Sequence, residues 1–356
     1  MKRILVFALA LTLLLSLPCL ASAEEPGWLG AYADLLQQWQ TKLAAEGGDL
    51  VGSYSNGYTL YDIDKDGTPE LILKTGTCEA DYHGFIYAFS ESGGAVCVCD
   101  DIGLGHSSLY TYPGENGLIL MYGHMGYAGA EHLILTPDGL QNAGTLYEDD
   151  LNERLQNDPD ADYIYPGDVV AGSVYLDLFC LDRRIPLERY GEIERMRGEV
   201  FPGAVACGDY PQGDPEFFTR VMMENREVVA VSADGYTRSP GRIGFQDLLK
   251  QGAAADWMYA DLQILSTQLA DLNGDGQPEC IVDLNQGENS EPMRFFLSEQ
   301  EGTVYAYLEN YASKSLTVDP NGNLLCSSEY HSGLKRLLFD GEEALFLTLP
   351  LAYYAG

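Results

Sequence analysis

Two stretches of this 356-residue chain concentrate oxygen-bearing side chains at a regular spacing: Tyr61 to Leu73 reads YDIDKDGTPELIL, and Ala270 to Val282 reads ADLNGDGQPECIV, 209 residues further on. Counted from its first aspartate, the early stretch has carboxylates at positions 1, 3, 5 and 9 (Asp62, Asp64, Asp66 and Glu70), with Gly67 at position 6. The late stretch offers Asp271, Asn273, Asp275 and Glu279, with Gly276 at position 6. Alternate oxygens in a tight loop point inward, glycine takes the sharp bend, and the carbonyl at position 7, Thr68 or Gln277, adds a further ligand. Such a loop is a cage for Ca²⁺, which takes six to eight oxygens and tolerates irregular geometry. A plain hairpin turn needs only one such carboxylate, and the turns TPDG (136–139) and LFDGEE (338–343) read that way. Carboxylates crowded together repel one another unless a cation joins them. Two calcium sites are therefore expected.

An EF-hand requires a bidentate Glu at position 12 and a helix on each side, whereas position 12 here holds Leu73 and Val282 inside strand-like runs. A dockerin module would set both loops within one short helical segment. The loops instead resemble the DxDxDGxPEL signature of FG-GAP and VCBS-type repeats, through Asp62, Asp64, Asp66, Pro69, Glu70 and Leu71 in one copy. Asp271, Asn273, Asp275, Pro278 and Glu279 carry it in the other, with Cys280 at the leucine place. The resemblance covers about a dozen residues per copy and implies calcium loops between strands, as in integrin-like β-propeller blades. A complete propeller needs four or more regularly spaced blades, and two loops so far apart argue against one.

The flanking sequence must supply elements to hold these loops. Trp28, Leu29, Tyr32, Leu35, Leu36, Trp39 and Leu43 follow helical spacing, with Gly47-Gly48 as a stop. From Tyr58 to about Tyr147 short apolar runs (ELIL, FIYAF, AVCVC, GLILMY, EHLIL) alternate with turn residues and predict an antiparallel meander. Residues 151–243 differ: helices are expected at Pro186 to Arg197 and at Asp214 to Asn225, where Asp214 caps and Pro215 takes the first helical position, with CGDYPQGD as loop between them. A short helix around Phe245 to Gln251, ended by Gly252, then leads into the late loop and further strands. Ser90 and Ser298, and Gly117 and Gly322, fall at similar distances beyond the two loops, which suggests an internal duplication. The expected fold is α+β and predominantly antiparallel β: a leader (1–23), a first helix/calcium-loop/β-meander unit (24–150), a partly helical middle segment (151–243) and a second unit (244–356).

Lys2 and Arg3, the apolar run Ile4 to Leu17 and the small residues Ala21-Ser22-Ala23 read as a secretory signal peptide. Pro18 stands where a lipoprotein signal wants a small residue before Cys19. Beyond Glu24 no apolar run approaches the roughly 20 residues of a transmembrane helix, so an exported, soluble product is expected. Losing Lys2 and Arg3 takes the formal charge from −34 to −36, which excludes nucleic acid and anionic membranes as natural partners and favours divalent cations. Seven cysteines remain, Cys78, Cys97, Cys99, Cys180, Cys207, Cys280 and Cys326, with no CxxC pair, which leaves their pairing open. Of His83, His106, His124, His132 and His331, His124 and His132 fall on neighbouring strand-like runs with His331 at roughly the equivalent place of the second copy, a placement open to a zinc or catalytic role but expected of satisfied surface or turn histidines; no GxSxG, HExxH or phosphate loop occurs. Two functions fit: an exported calcium-binding module for an extracellular glycan or protein ligand, or a secreted glycosidase-like hydrolase with carboxylate catalysis.

Overall fold

A computed structural model describes residues 26–46, 56–158, 170–198, 215–233, 241–251, 262–285, 293–309, 315–319, 321–327 and 332–349. The leader with Cys19, the stops at Gly47-Gly48 and Gly252, Cys207, Asp214, His331 and the stretch CGDYPQGD lie outside the described residues.

Helix α1 (Gly27–Ala45) is followed by strands β1 (Gly57–Tyr61), β2 (Glu70–Thr75), β3 (His83–Ser90) and β4 (Gly94–Gly103), and then by β5 (Ser107–Thr111), β6 (Leu118–His124), β7 (Tyr127–Thr136) and β8 (Gly139–Asp150). The middle stretch supplies α2 (Leu151–Asn157), β9 (Phe179–Cys180), α3 (Ile185–Glu188), α4 (Tyr190–Gly198), α5 (Pro215–Met223), β10 (Glu227–Ser232) and β11 (Gly241–Gly244). After α6 (Phe245–Gln251) come β12 (Gln263–Ala270), β13 (Glu279–Asn285), β14 (Met293–Gln300) and β15 (Thr303–Glu309). The described chain closes with β16 (Ser315–Val318), β17 (Asn323–Ser327), β18 (Ser332–Asp340) and β19 (Glu343–Leu349).

These strands form four open sheets, ordered β4-β3-β2-β1-β9, β5-β6-β7-β8, β11-β10-β15-β14-β13-β12 and β16-β17-β18-β19. Pairing is antiparallel except between β10 and β15, and no barrel closes among the described residues. The chain is thus α+β and mostly antiparallel, as expected. Among the described residues no helix is long and apolar enough to cross a membrane.

The acidic loops join β1 to β2 and β12 to β13. The strand leaving each loop is buried on both faces, which explains why ELIL and ECIV read as unbroken apolar runs instead of alternating ones. Leu71 and Leu73 face α1 with Tyr32 and Leu36, while Ile72 faces the second sheet with Leu109, Leu118 and Leu133. In the other half Cys280 and Val282 face Phe245 and Leu248 of α6, and Ile281 faces Leu324 and Leu337. Both halves therefore layer helix, sheet and sheet in that order, and each fully buried Leu or Ile contributes about 1.5–3 kcal/mol of transfer free energy. Cys280 sits at the leucine place as a small buried apolar side chain, its thiol pushed up by burial to about 12.

The middle stretch joins the halves. Its β9 pairs with the outer edge of β1, and its β10 lies parallel against β15. Ile193 and Met196 of α4 pack on Leu334, Leu338 and Leu345. Cys78, Cys97, Cys99 and Cys280 are free thiols.

Candidate metal centre

Strand β1 ends at Tyr61 and β2 begins at Glu70, so the early loop spans residues 62–69 and Glu70 points back beneath it. The loop winds on its own carboxylates. Asp64 Oδ1 accepts from Asp66 N (3.1 Å), Asp62 Oδ2 from Gly67 N (3.0 Å), Asp66 Oδ1 from Thr68 N (2.7 Å), and Glu70 Oε2 from Ile63 N (2.7 Å). The late loop repeats this pattern: Asn273 Oδ1 accepts from Asp275 N (2.9 Å), Asp271 Oδ2 from Gly276 N (3.0 Å), Asp275 Oδ1 from Gln277 N (2.7 Å) and Glu279 Oε2 from Leu272 N (2.7 Å). Ile63 and Leu272, at position 2, anchor both loops in the core. At position 4 the early loop holds Lys65 at φ 64° and the late loop Gly274 at φ 80°, the left-handed conformation that costs glycine least.

The turn between the first and second strands of the following sheet buttresses each loop. Gly117 N donates to Ile63 O (2.8 Å), and a Cβ on Gly322 would stand 2.5 Å from Leu272 O and 2.7 Å from Asp271 O. From behind, Tyr32 of α1 donates its hydroxyl to Pro69 O at 2.7 Å.

The early loop gathers Asp62, Asp64 and Glu70, with ligand oxygens within 4.8 Å of one another. Oxygens that share one Ca²⁺ at about 2.4 Å stand at most about 4.8 Å apart, so the trio matches a single coordination sphere. Asp66 is not in the trio. No other comparable group of three is found among the described residues. In the late loop the second place is an amide, and Asn273 Nδ2 donates to Asp275 Oδ2 at 3.0 Å, which ties two of its oxygen-bearing side chains to each other.

Three observations test whether a cation suits the early loop. Asp62 Oδ1 is buried without any hydrogen-bond partner, an acceptor that a cation would satisfy. Glu70 is only 3% exposed; burial, and after it the charges of Asp64, Asp62 and Asp66, overcome the Ile63 hydrogen bond and push its carboxyl up to about 8. Asp64 is raised as well, by desolvation first. The donors, finally, are all hard oxygens, which suit Ca²⁺ or Mg²⁺ over thiophilic metals. In the late loop Glu279 is 2% exposed and raised to about 7 by burial, although Ser298 Oγ donates to its Oε1 at 3.3 Å. Lys65 is the early loop's built-in counter-ion: its Nζ donates to Asp62 O at 2.5 Å and lies 3.9 Å from the centre of the Tyr61 ring.

The histidines serve elsewhere. His83 pairs with Asp101 (2.9 Å), His106 stacks on His124 (4.1 Å between centroids) near Glu79, and His132 stacks on Tyr112 (3.8 Å). A residue type that spacing alone did not single out is arginine: the buried Arg197 reaches Leu60 O (2.9 Å) just before the early loop, and the half-buried Arg336 donates to Asn321 O and Asn323 Oδ1 in the turn that rests on the late one. No protein-family model and no curated protein matches the chain.

Proposed function

We propose that this chain is an exported calcium-binding protein, a surface or extracellular interaction module in which two Ca²⁺ ions serve the fold. The observation that carries the reading is the buried, unpartnered Asp62 Oδ1 in a trio with Asp64 and Glu70. The late loop shares the hydrogen-bond scaffold of the early one and takes the second ion through Asp271, Asn273, Asp275 and Glu279, with Thr68 and Gln277 supplying their carbonyls at position 7. Ions at the root of each sheet neutralise carboxylates that the fold otherwise leaves to repel, which makes them structural. After removal of the leader the protein acts outside the cell, on a glycan or protein ligand.

The same reading includes a duplication: α1 with β1–β8 and α6 with β12–β19 form two similar units. It is supported by the identical order of two four-strand meanders, the matching faces of Leu71 and Cys280, and the equivalent contacts of Gly117 and Gly322.

Calorimetry on metal-stripped protein lacking residues 1–23 tests the metal reading. Two ions should bind, Asp64→Ala and Asp275→Ala should each remove one, and a dissociation constant of about 10⁻⁴ to 10⁻³ M would suffice outside a cell. The absence of saturable binding at millimolar calcium would sink it. Superposing 57–150 on 263–349 tests the duplication, which fails if the strands do not align in order.

A further inference from the structure

Between Lys74 and Arg154 no lysine or arginine occurs, and this stretch builds the whole of the second sheet, β5–β8. One face of that sheet starts as core and ends in solvent. Leu109, Leu118 and Leu133 hold it against Ile72 of the first sheet. Further along the same face the register brings together Tyr122, His124, Tyr127, Gly129, Glu131 and Glu148: Tyr122 and Glu148 pair with Gly129 from its two sides, His124 pairs with Tyr127, and Glu131 with Leu120. A Cβ on Gly129 would stand 2.4 Å from Cζ and from the hydroxyl oxygen of Tyr122, so only glycine lets the Tyr122 ring lie flat across β7. The rings of Tyr122 and Tyr127 are 6.1 Å apart and 25° from parallel, and His106 stacks on His124 at 4.1 Å. Four rings thus form one strip beside two carboxylates. Tyr127 is 45% exposed, His124 and Glu148 are exposed, and Glu131 is half-buried. Arg154 is bound to Asp149 (2.8 Å), which pairs with Ala128 and so belongs to the opposite face.

We propose that this strip docks an arginine-bearing segment of a partner protein. Ring faces and carboxylates side by side suit an organic cation, and the sheet that carries them supplies none of its own, so the counter-charge comes from the partner. The formal charge of −34 steers such a segment toward the protein. The flat Tyr122 ring decides between the two basic side chains. A planar guanidinium stacks on an aromatic face while its edge donates to carboxylates, whereas an ammonium is a compact, strongly hydrated point charge with no face to stack. Glu148, level with the Tyr122 ring, and Glu131, one step along the same face, are the acceptors. A neutral sugar would stack on the same rings but gain nothing from the charge. The proposal deepens the interaction-module reading by naming the partner's chemistry; it rests on that reading and not on calcium.

Titration of the full mature chain with a labelled hexapeptide of alternating arginine and glycine tests this, at physiological ionic strength, where attraction from the distant acidic surface is screened. One saturable site is expected, and the lysine version of the peptide should bind it more weakly. Tyr127→Ala, at an exposed position that leaves the core intact, should weaken the arginine peptide about threefold to thirtyfold, the range of a cation held over an aromatic ring. Glu148→Gln should weaken it about two- to fivefold. Unchanged melting curves show that both variants are folded. Binding that ignores both substitutions would be diffuse attraction to an acidic surface and would overturn the site, as would the absence of saturable binding. Equal affinity for the lysine peptide would overturn the choice of guanidinium. A neutral glucose oligosaccharide that binds in place of the peptide and is lost with Tyr127→Ala would overturn the proposal while leaving an interaction module standing. Calcium titration of the same samples reads the metal loops separately, so a failure there falls on the calcium reading alone.

Discussion

Without metal, the buried carboxyl of Glu70 should make the protein less stable as pH rises from 5 to 8. Its folded value is about 8 against an ordinary 4.5, so between those limits the folded protein keeps a proton that the unfolded chain has released. Stability is then fully present below the unfolded value and drains away up to the folded one, at 1.36 kcal/mol per unit, for a total of about 3–5 kcal/mol. Glu279, raised to about 7, adds a loss of the same sign of roughly 3 kcal/mol that ends one unit earlier. Calcium needs the ionised carboxylates, so its affinity should climb over the same window and cancel the slope. Urea unfolding of metal-stripped protein across this range, with and without calcium, measures both curves. General repulsion in a chain of formal charge −34 also grows with pH, so Glu70→Gln is the control that isolates the buried group. Stripped of metal, it should exceed the parent in stability at pH 8, have a flatter profile, and take up one ion fewer. Parallel pH profiles for the two proteins would refute the reasoning.

Three further outcomes are expected. Lys65→Gln removes the early loop's own cation and should tighten calcium there about two- to fivefold by calorimetry, as befits an exposed pair worth less than about 1 kcal/mol. Gly322→Ala forces a Cβ toward Leu272 O at φ 80° and should cost about 1–3 kcal/mol in urea unfolding while weakening the late loop's hold on calcium. In β14, Arg294 is buried between Asp283 (2.7 Å) and Glu309 (3.1 Å), so Arg294→Met takes the counter-charge from the buried Glu309 and should cost about 3 kcal/mol in the same assay.

The acidic loops were legible because their information is local: alternate oxygens, one glycine and a following Pro-Glu specify a turn whatever surrounds it. The same holds for α1, α5 and α6, whose apolar spacing and Pro215 give them away, and for hairpins such as Asp340-Gly341 between β18 and β19. The serine landmark was misread by two residues. Leu71 pairs with Tyr87 and Cys280 with Leu297, so Ser90 matches Gln300, the last residue of β14, and not Ser298. The predicted middle helix over Pro186 to Arg197 is two helices, α3 and α4, parted at Arg189. What the sequence could not show is long-range: that Arg197 would bury its guanidinium against Leu60 O, that two residues, Phe179 and Cys180, would form a strand, and that Asp62 Oδ1 would be buried.

The crossing of the middle stretch between halves also governs the order of assembly. Gly57 of β1 pairs with Cys180, and Asp177 holds Thr348, 171 residues away, through its amide and hydroxyl at 2.8 and 2.9 Å. An emerging amino-terminal half can form its hairpins, but the edge of β1 stays open until residue 180 arrives, and the middle stretch, seated on that half through Leu181, Leu187 and Arg197, gains its second seat only when the last strand is made. Closing such large loops costs chain entropy before any contact repays it. The carboxy-terminal hairpin is therefore the last piece to close, and a chain truncated before Thr348 should keep β9 on the edge of β1 while losing the tie from Asp177 to the second half.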